Sequence, residues 1–165
     1  MSVERTDDVE VFYHLTYQRL VGLLTLAGGS RSDAEEIAQE TYIRLIPRWS
    51  TVSRYDLPEA WLRKVAFRLL AQRNRRSQNR VVAMRRAVSG TASPAPSAEG
   101  VDVMRALAQL PDGQRHAVVL HHLLDLPVEQ VADELGVPPG TIKSRLARAR
   151  AALAPLLDLE VSDDA

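Results

Sequence analysis

The chain contains no cysteine, which excludes disulfides, thiolate metal sites and cysteine nucleophiles and agrees with a reducing compartment, the cytoplasm being the default. It also has no uninterrupted apolar run near the roughly 20 residues that a membrane-crossing helix needs. Its opening residues, MSVERTDDVEVF, are acidic and lack the apolar core of a secretory signal. A soluble protein without membrane insertion is expected. Nucleophile elbow, phosphate-cradling glycine loop and metalloprotease signature are all missing. Histidines stand only at positions 14, 116, 121 and 122, and no two have the i, i+4 spacing that sets a pair of imidazoles on one helical face. No catalytic residue, metal or cofactor is therefore expected, and the chain does not read as an enzyme.

Net charge is absent as well, with 21 Lys+Arg against 21 Asp+Glu, but the charges are segregated. Residues 63–86 hold nine bases and no acid, and residues 139–153 hold Lys143, Arg145, Arg148 and Arg150 and no acid. Attraction to a polyanion acts over a Debye length of roughly 8 Å, so two local cationic segments can bind nucleic acid on a neutral chain. With 165 residues, 45% hydrophobic and 25% charged, one medium domain or two small ones fit.

The apolar pattern is helical throughout, with no strand signal of convincing length, so the expected class is all-α. Val9, Phe12, Thr16, Leu20, Leu23, Leu24 and Ala27 predict a helix from about residue 8 to Gly28-Gly29. In DAEEIAQETYIRL, residues 33–45, Ala34, Ile37, Ala38, Thr41, Tyr42 and Leu45 fall on one side and Glu36, Gln39, Glu40 and Ile43 on the other. Ser32 and Glu35 have capping-box spacing, and Pro47 ends or bends this helix. A loop, RWSTVSRYD, precedes a third helix from Pro58 to about Arg76, with Trp61, Leu62, Val65, Ala66 and Leu69 on its buried side. Trp49 and Tyr55 in that loop are candidates for stacking on unpaired bases or for partial burial.

Residues 87–100, AVSGTASPAPSAEG, are aperiodic and read as linker. The expected layout is two small helical domains joined by a flexible linker: 1–76, linker 77–100, a four-helix second domain 101–157, and an acidic tail 158–165. In the second domain, helices are expected near 114–124, 128–135 and 139–153. Val128, Val131, Ala132 and Leu135, then Gly136 and Pro138-Pro139, form a helix-turn-helix pattern. Its second helix turns Ile142, Leu146, Ala149 and Leu153 inward and leaves Thr141, Ser144, Arg145 and Arg148 outward with Lys143 beside them. Hydroxyls and forked guanidiniums suit phosphates and base edges. By itself this also fits a repressor or activator of another class.

DAEEIAQETYIRLIPRW with AWLRKVAFRLLAQRNRR, followed by ALAQLPDGQRHAVVLHHLLDLPVEQVADELGVPPGTIKSRLARARAAL, resembles the two blocks of the extracytoplasmic-function (ECF) sigma factors of bacterial RNA polymerase. The resemblance implies core RNA polymerase and promoter DNA as partners, the former through the β′ clamp helices and the β flap. An anti-sigma factor is common in the family, and no residue here identifies one. By resemblance, Asp33, Glu36, Gln39, Glu40 and Ile43 fall on the polymerase-docking helix. Trp49, Arg54, Tyr55, Trp61, Lys64, Arg68 and Arg75 fall on the surface that captures and melts the −10 element. Thr141, Lys143, Ser144, Arg145 and Arg148 fall on the helix that reads the −35 element. The chain departs from the family pattern at Ile46, where a Trp is common, at Phe67-Arg68 and Gln72, and at Pro127, which replaces a capping Ser or Thr.

Overall fold

The computed structural model describes residues 2–28, 30–85 and 99–157, with side chains for 8–28, 30–77 and 103–156. Linker residues 86–98 and the acidic tail 158–165 lie outside the described residues. Every described element is helical: α1 (Ser2–Gly28), α2 (Arg31–Leu45), a 3-10 turn (Ile46–Arg48), α3 (Trp49–Val52), α4 (Pro58–Arg85), α5 (Glu99–Ala108), α6 (Asp112–Val118), a π turn (Val119–Leu123), α7 (Val128–Leu135) and α8 (Pro139–Leu157).

In the first half, α1, α2 and α4 close around one core. The inward face of α2 is the expected one, with Ala34, Ile37, Ala38, Thr41, Tyr42 and Leu45 buried. They meet Leu20, Leu24 and Ala27 of α1 and Leu62, Ala66 and Leu70 of α4. Tyr42 shares a 2.5 Å hydrogen bond with Thr16, and burial pushes its phenol up to about 12. At Gly28 a Cβ would lie 2.8 Å from Leu70 Cδ1, so glycine lets the end of α1 press onto α4.

Three local expectations change. Ser30 caps α2, accepting from the Asp33 amide at 3.3 Å, and Ser32 lies inside the helix with no capping box. Both serines precede the same acidic run, and the one directly before the first helical residue wins. The loop after Pro47 contains the short helix α3, and α4 runs past Arg76 to Arg85. Helix rises about 1.5 Å per residue against roughly 3.3 Å for extended chain, so this shortens the reach between the halves.

In the second half, α5 to α8 pack through Leu107, Leu110, Ala117, Val118, Leu120, Val131, Ile142, Leu146 and Ala149. Gly136 ends α7 at φ 69, a left-handed turn open to glycine without strain. Pro127 supplies no side-chain cap to α7; its carbonyl accepts from the Val131 amide at 3.0 Å and starts the helix.

The halves are packed together, and their buried side chains form one continuous cluster. Phe67 of α4 is 2% exposed and meets the ring of His116 edge-on at a centroid distance of 5.2 Å, inside the roughly 4.5–7 Å range that aromatic pairs favour. Arg115 crosses the junction. Its guanidinium is buried and donates to the carbonyls of Leu107, Ala108 and Leu110 and, across the halves, of Ala27. A buried cation surrounded by carbonyls at the ends of α1 and α5 is offset by the negative end of each helix dipole.

Candidate protein and nucleic-acid interfaces

The outer face of α2 is a solvent-facing strip. Glu36, Gln39 and Glu40 are exposed, and among them Ile43 is 67% exposed, with Ile46 one turn on at 61%. The acids are already paired within the chain. Arg73 of α4 bonds Glu36 and stands 3.5 Å from Asp33, and Arg44 holds Glu40 at 2.8 Å. These pairs are solvent-exposed and each contributes little to stability. They leave an apolar spot ringed by charges of both signs.

Residues around α3 split by burial. Trp49 packs its ring 5.0 Å from Phe12 and belongs to the edge of the core, whereas Arg54 and Tyr55 are exposed. Backbone bonds from the Arg54 and Tyr55 amides to Thr51 and Val52 hold them in a tight turn. Trp61 is partly buried against the core. Lys64, Arg68 and Arg75 are instead brought to the wall of a cleft of about 480 Å³ that separates α4 from α6, α7 and α8.

On α8, Ile142, Leu146 and Ala149 are buried, while Lys143, Ser144 and Arg148 are exposed and Thr141 is half-buried. Arg145 takes a different course. Its guanidinium lies so close to α6 that a Cβ on Gly113 would sit 2.9 Å from its Cζ, and it lines the cleft opposite Lys64, Arg68 and Arg75. Part of the −10 set and one member of the −35 set thus share a single cavity.

A bidentate ion pair across that junction involves residues for which no role was expected. Glu134 of α7 is 3% exposed and accepts both arms of the Arg63 fork at 2.9 and 2.8 Å, with Gln130 Nε2 at 3.1 Å. No role at this junction could be read in advance for Arg63, Arg115 and His116, because their contacts to Glu134, Ala27 and Phe67 come from the other half. A second depression, of about 430 Å³ and mainly apolar, lies between α5, α6 and α8, with Val103, Leu107, Val118 and Leu153 in its lining. Among the described residues no helix is long and apolar enough to cross a membrane.

Residues 101–153 match the family described as sigma-70, region 4. The ECF RNA polymerase sigma factor SigC of Mycobacterium tuberculosis is 32% identical over 163 residues, covering 94% of this chain and 85% of SigC. The ECF RNA polymerase sigma factor SigM of the same species is 34% identical over 143 residues, covering 86% of this chain and 72% of SigM. Among solved structures, the fold is similar to that of the sigma factor RpoE in complex with the anti-sigma factor NepR from Bartonella quintana, with TM-score 0.72, 23% identity and coverage of 93% of this chain and 98% of that one. CnrH in complex with the cytosolic domain of CnrY matches with TM-score 0.62 and 21% identity over 94% of this chain and 90% of that one. At these identities the likeness is one of fold.

Proposed function

The chain belongs to the ECF sigma factors of bacterial RNA polymerase, which bind core polymerase and direct promoter-specific transcription initiation, and from that premise we propose how its surfaces divide the work. Residues 1–76 dock on the β′ clamp helices and melt the −10 element. Residues 101–157 read the −35 element and meet the β flap, for which the apolar depression beside α5 and α8 is the fitting surface. The chain acts in the cytoplasm as a non-catalytic specificity subunit, all bond-making being left to the polymerase.

Ile43 carries this reading of the first half. An isoleucine two-thirds exposed amid Glu36, Gln39 and Glu40 gains nothing in water. It gains by burial in a partner whose bases engage the surrounding acids. In this reading Tyr55 stacks on an unpaired −10 nucleotide and Arg54 neutralises its phosphate, which the exposure of both side chains supports. Lys143, Ser144 and Arg148 face outward on α8, as phosphate and base contacts require. An anti-sigma factor is a further proposed partner.

The test is transcription in vitro with core polymerase and genomic promoter fragments from the host. Specific initiation that appears only when the chain is added supports the reading. Absence of core-polymerase association, or stable operator binding by the chain alone, overturns it in favour of an ordinary helix-turn-helix regulator.

A further inference from the structure

Packing of the two halves creates a cavity with an unusual charge balance. Lys64, Arg68 and Arg75 of α4 line one wall and Arg145 the other, and the carboxylates Asp112 and Glu134 are also in the lining. Those carboxylates have nearer partners. Glu134 is taken by both arms of Arg63, and Asp112 stands 3.8 Å from the Arg115 guanidinium. Lys64 has Asp133 at 3.9 Å. Arg68, Arg75 and Arg145 form no ion pair among the described residues. Closing the halves therefore sets like charges across one cavity of about 480 Å³, an arrangement that repels itself and that a multivalent anion would reverse in sign.

The site also has a formed floor. Gly113 allows the Arg145 guanidinium to lie against the first turn of α6, where a Cβ would come within 2.9 Å of Cζ. Ala71, Gly113 and Gly136 keep the walls low. His116 lines the same cavity and is 4% exposed, and its Nε2 finds no hydrogen-bond partner. The buried imidazole is thus a polar group that no protein atom satisfies.

We infer that this cleft is a binding site for a compact anion carrying closely spaced phosphates, of the pyrophosphate or nucleoside-polyphosphate class, which bridges Arg68 and Arg75 of α4 to Arg145 of α8 and stabilises the closed packing of the halves. Forked guanidiniums are suited to phosphate oxygens by geometry as well as charge. Because the ligand needs both walls, it binds the closed form and not the open one. Its effect on closure then follows from linkage. Since Arg145 is also a proposed −35 contact, occupancy of the cleft withdraws that residue from DNA. The inference rests on the charge and shape of the cleft and not on the promoter-reading assignment.

The experiment is calorimetric titration of the full chain with inorganic pyrophosphate at constant physiological ionic strength, with thermal unfolding in parallel and sulfate as a divalent control. Pyrophosphate is expected to bind one to one, more tightly than sulfate, and to raise the melting temperature. Arg68→Ala and Arg145→Ala, from opposite walls, each weaken binding by roughly tenfold or more, the loss of one charge-assisted contact. Arg148→Ala removes the same charge from the same helix outside the cleft and changes binding by less than about twofold. Arg68→Lys, which keeps the charge, retains part of the affinity and guards against a folding artefact. A flat pyrophosphate titration overturns the inference, as does equal weakening by Arg148→Ala. Binding of a single-stranded oligonucleotide through Arg68 and Arg145 that pyrophosphate does not displace assigns the cleft to the DNA path and overturns it too.

Discussion

Arg63 and Glu134 are 71 residues apart in sequence and form a bidentate pair from α4 to α7, at 2.9 and 2.8 Å. The side chains are 12% and 1% exposed, so this pair, unlike those on α2, is shielded from water. Removing one partner of such a pair costs about 3–5 kcal/mol, because the other charge is left buried and alone. Arg63→Ala is therefore expected to drive the halves apart, lowering the melting temperature and enlarging the radius of gyration in small-angle scattering. Lys64, Arg68, Arg75 and Arg145 leave the closed cleft at the same time, so promoter duplex is expected to bind the isolated variant more tightly than the parent chain. An unchanged radius with unchanged duplex affinity would show that the pair does not restrain the reading surfaces.

Ile43→Glu and Glu40→Ala are each expected to weaken core-polymerase association, by about tenfold for the isoleucine if it is buried as an anchor. Helical content and thermal unfolding should stay near those of the parent, since Ile43 contributes nothing to the core. Fluorescence anisotropy against core polymerase measures the first, and circular dichroism the second. Unfolding of Ile43→Glu would place the residue in a packing role that its exposure denies.

The inner face of α2 could be read in advance because one helix carries its own solvent boundary in a 3.6-residue period: Ala34, Ile37, Ala38, Thr41, Tyr42 and Leu45 are all buried. The same held for Val131 and Ala132 of α7 and for Ile142, Leu146 and Ala149 of α8. Phe67, Arg115, His116 and Glu134 were not legible. Each is polar or sits beside bases; Phe67, His116 and Glu134 meet side chains of the other half, and Arg115 is held by carbonyls of both. No periodicity within one segment records such a partner. Arg145 shares this difficulty: the helical wheel places it with Arg148, but contact with Gly113 turns it into the cleft. The exchange of Ser32 for Ser30 as the cap of α2 reflects a choice between two chemically equal candidates that the backbone decides.

Arg148 and Lys143 are exposed on the outer side of α8, away from the cleft. Arg148→Ala is expected to reduce transcription from promoters that depend on a −35 element. If it contacts a phosphate, the slope of log affinity against log salt falls by about 0.9. If it contacts a base edge, the variant loses about 1–3 kcal/mol of discrimination at one base pair. Binding of holoenzyme to a panel of −35 substitutions at two or more salt concentrations separates the cases, and insensitivity in both would remove Arg148 from the interface.

Stability should depend on pH through His116. Burial holds its imidazole down at about 4, with the nearby Arg115 and Arg145 cations acting in the same direction and Asp112 opposing them. In the unfolded chain the group titrates near 6.5. Between these values the unfolded state binds a proton that the folded state refuses, so stability rises with pH through this window and is lost progressively as pH falls from about 6.5 towards 4. The full difference is worth roughly 3 kcal/mol at most. His116→Leu removes the titrating group together with its unpartnered Nε2 and keeps an apolar contact to Phe67, so the contribution should vanish and the variant should match or exceed the parent in stability at pH values near 5. Denaturant unfolding of both proteins across this range is the measurement. Parallel pH profiles would mean that the imidazole is protonated in the folded chain, and hence that the Phe67 pocket is wetter than its burial indicates.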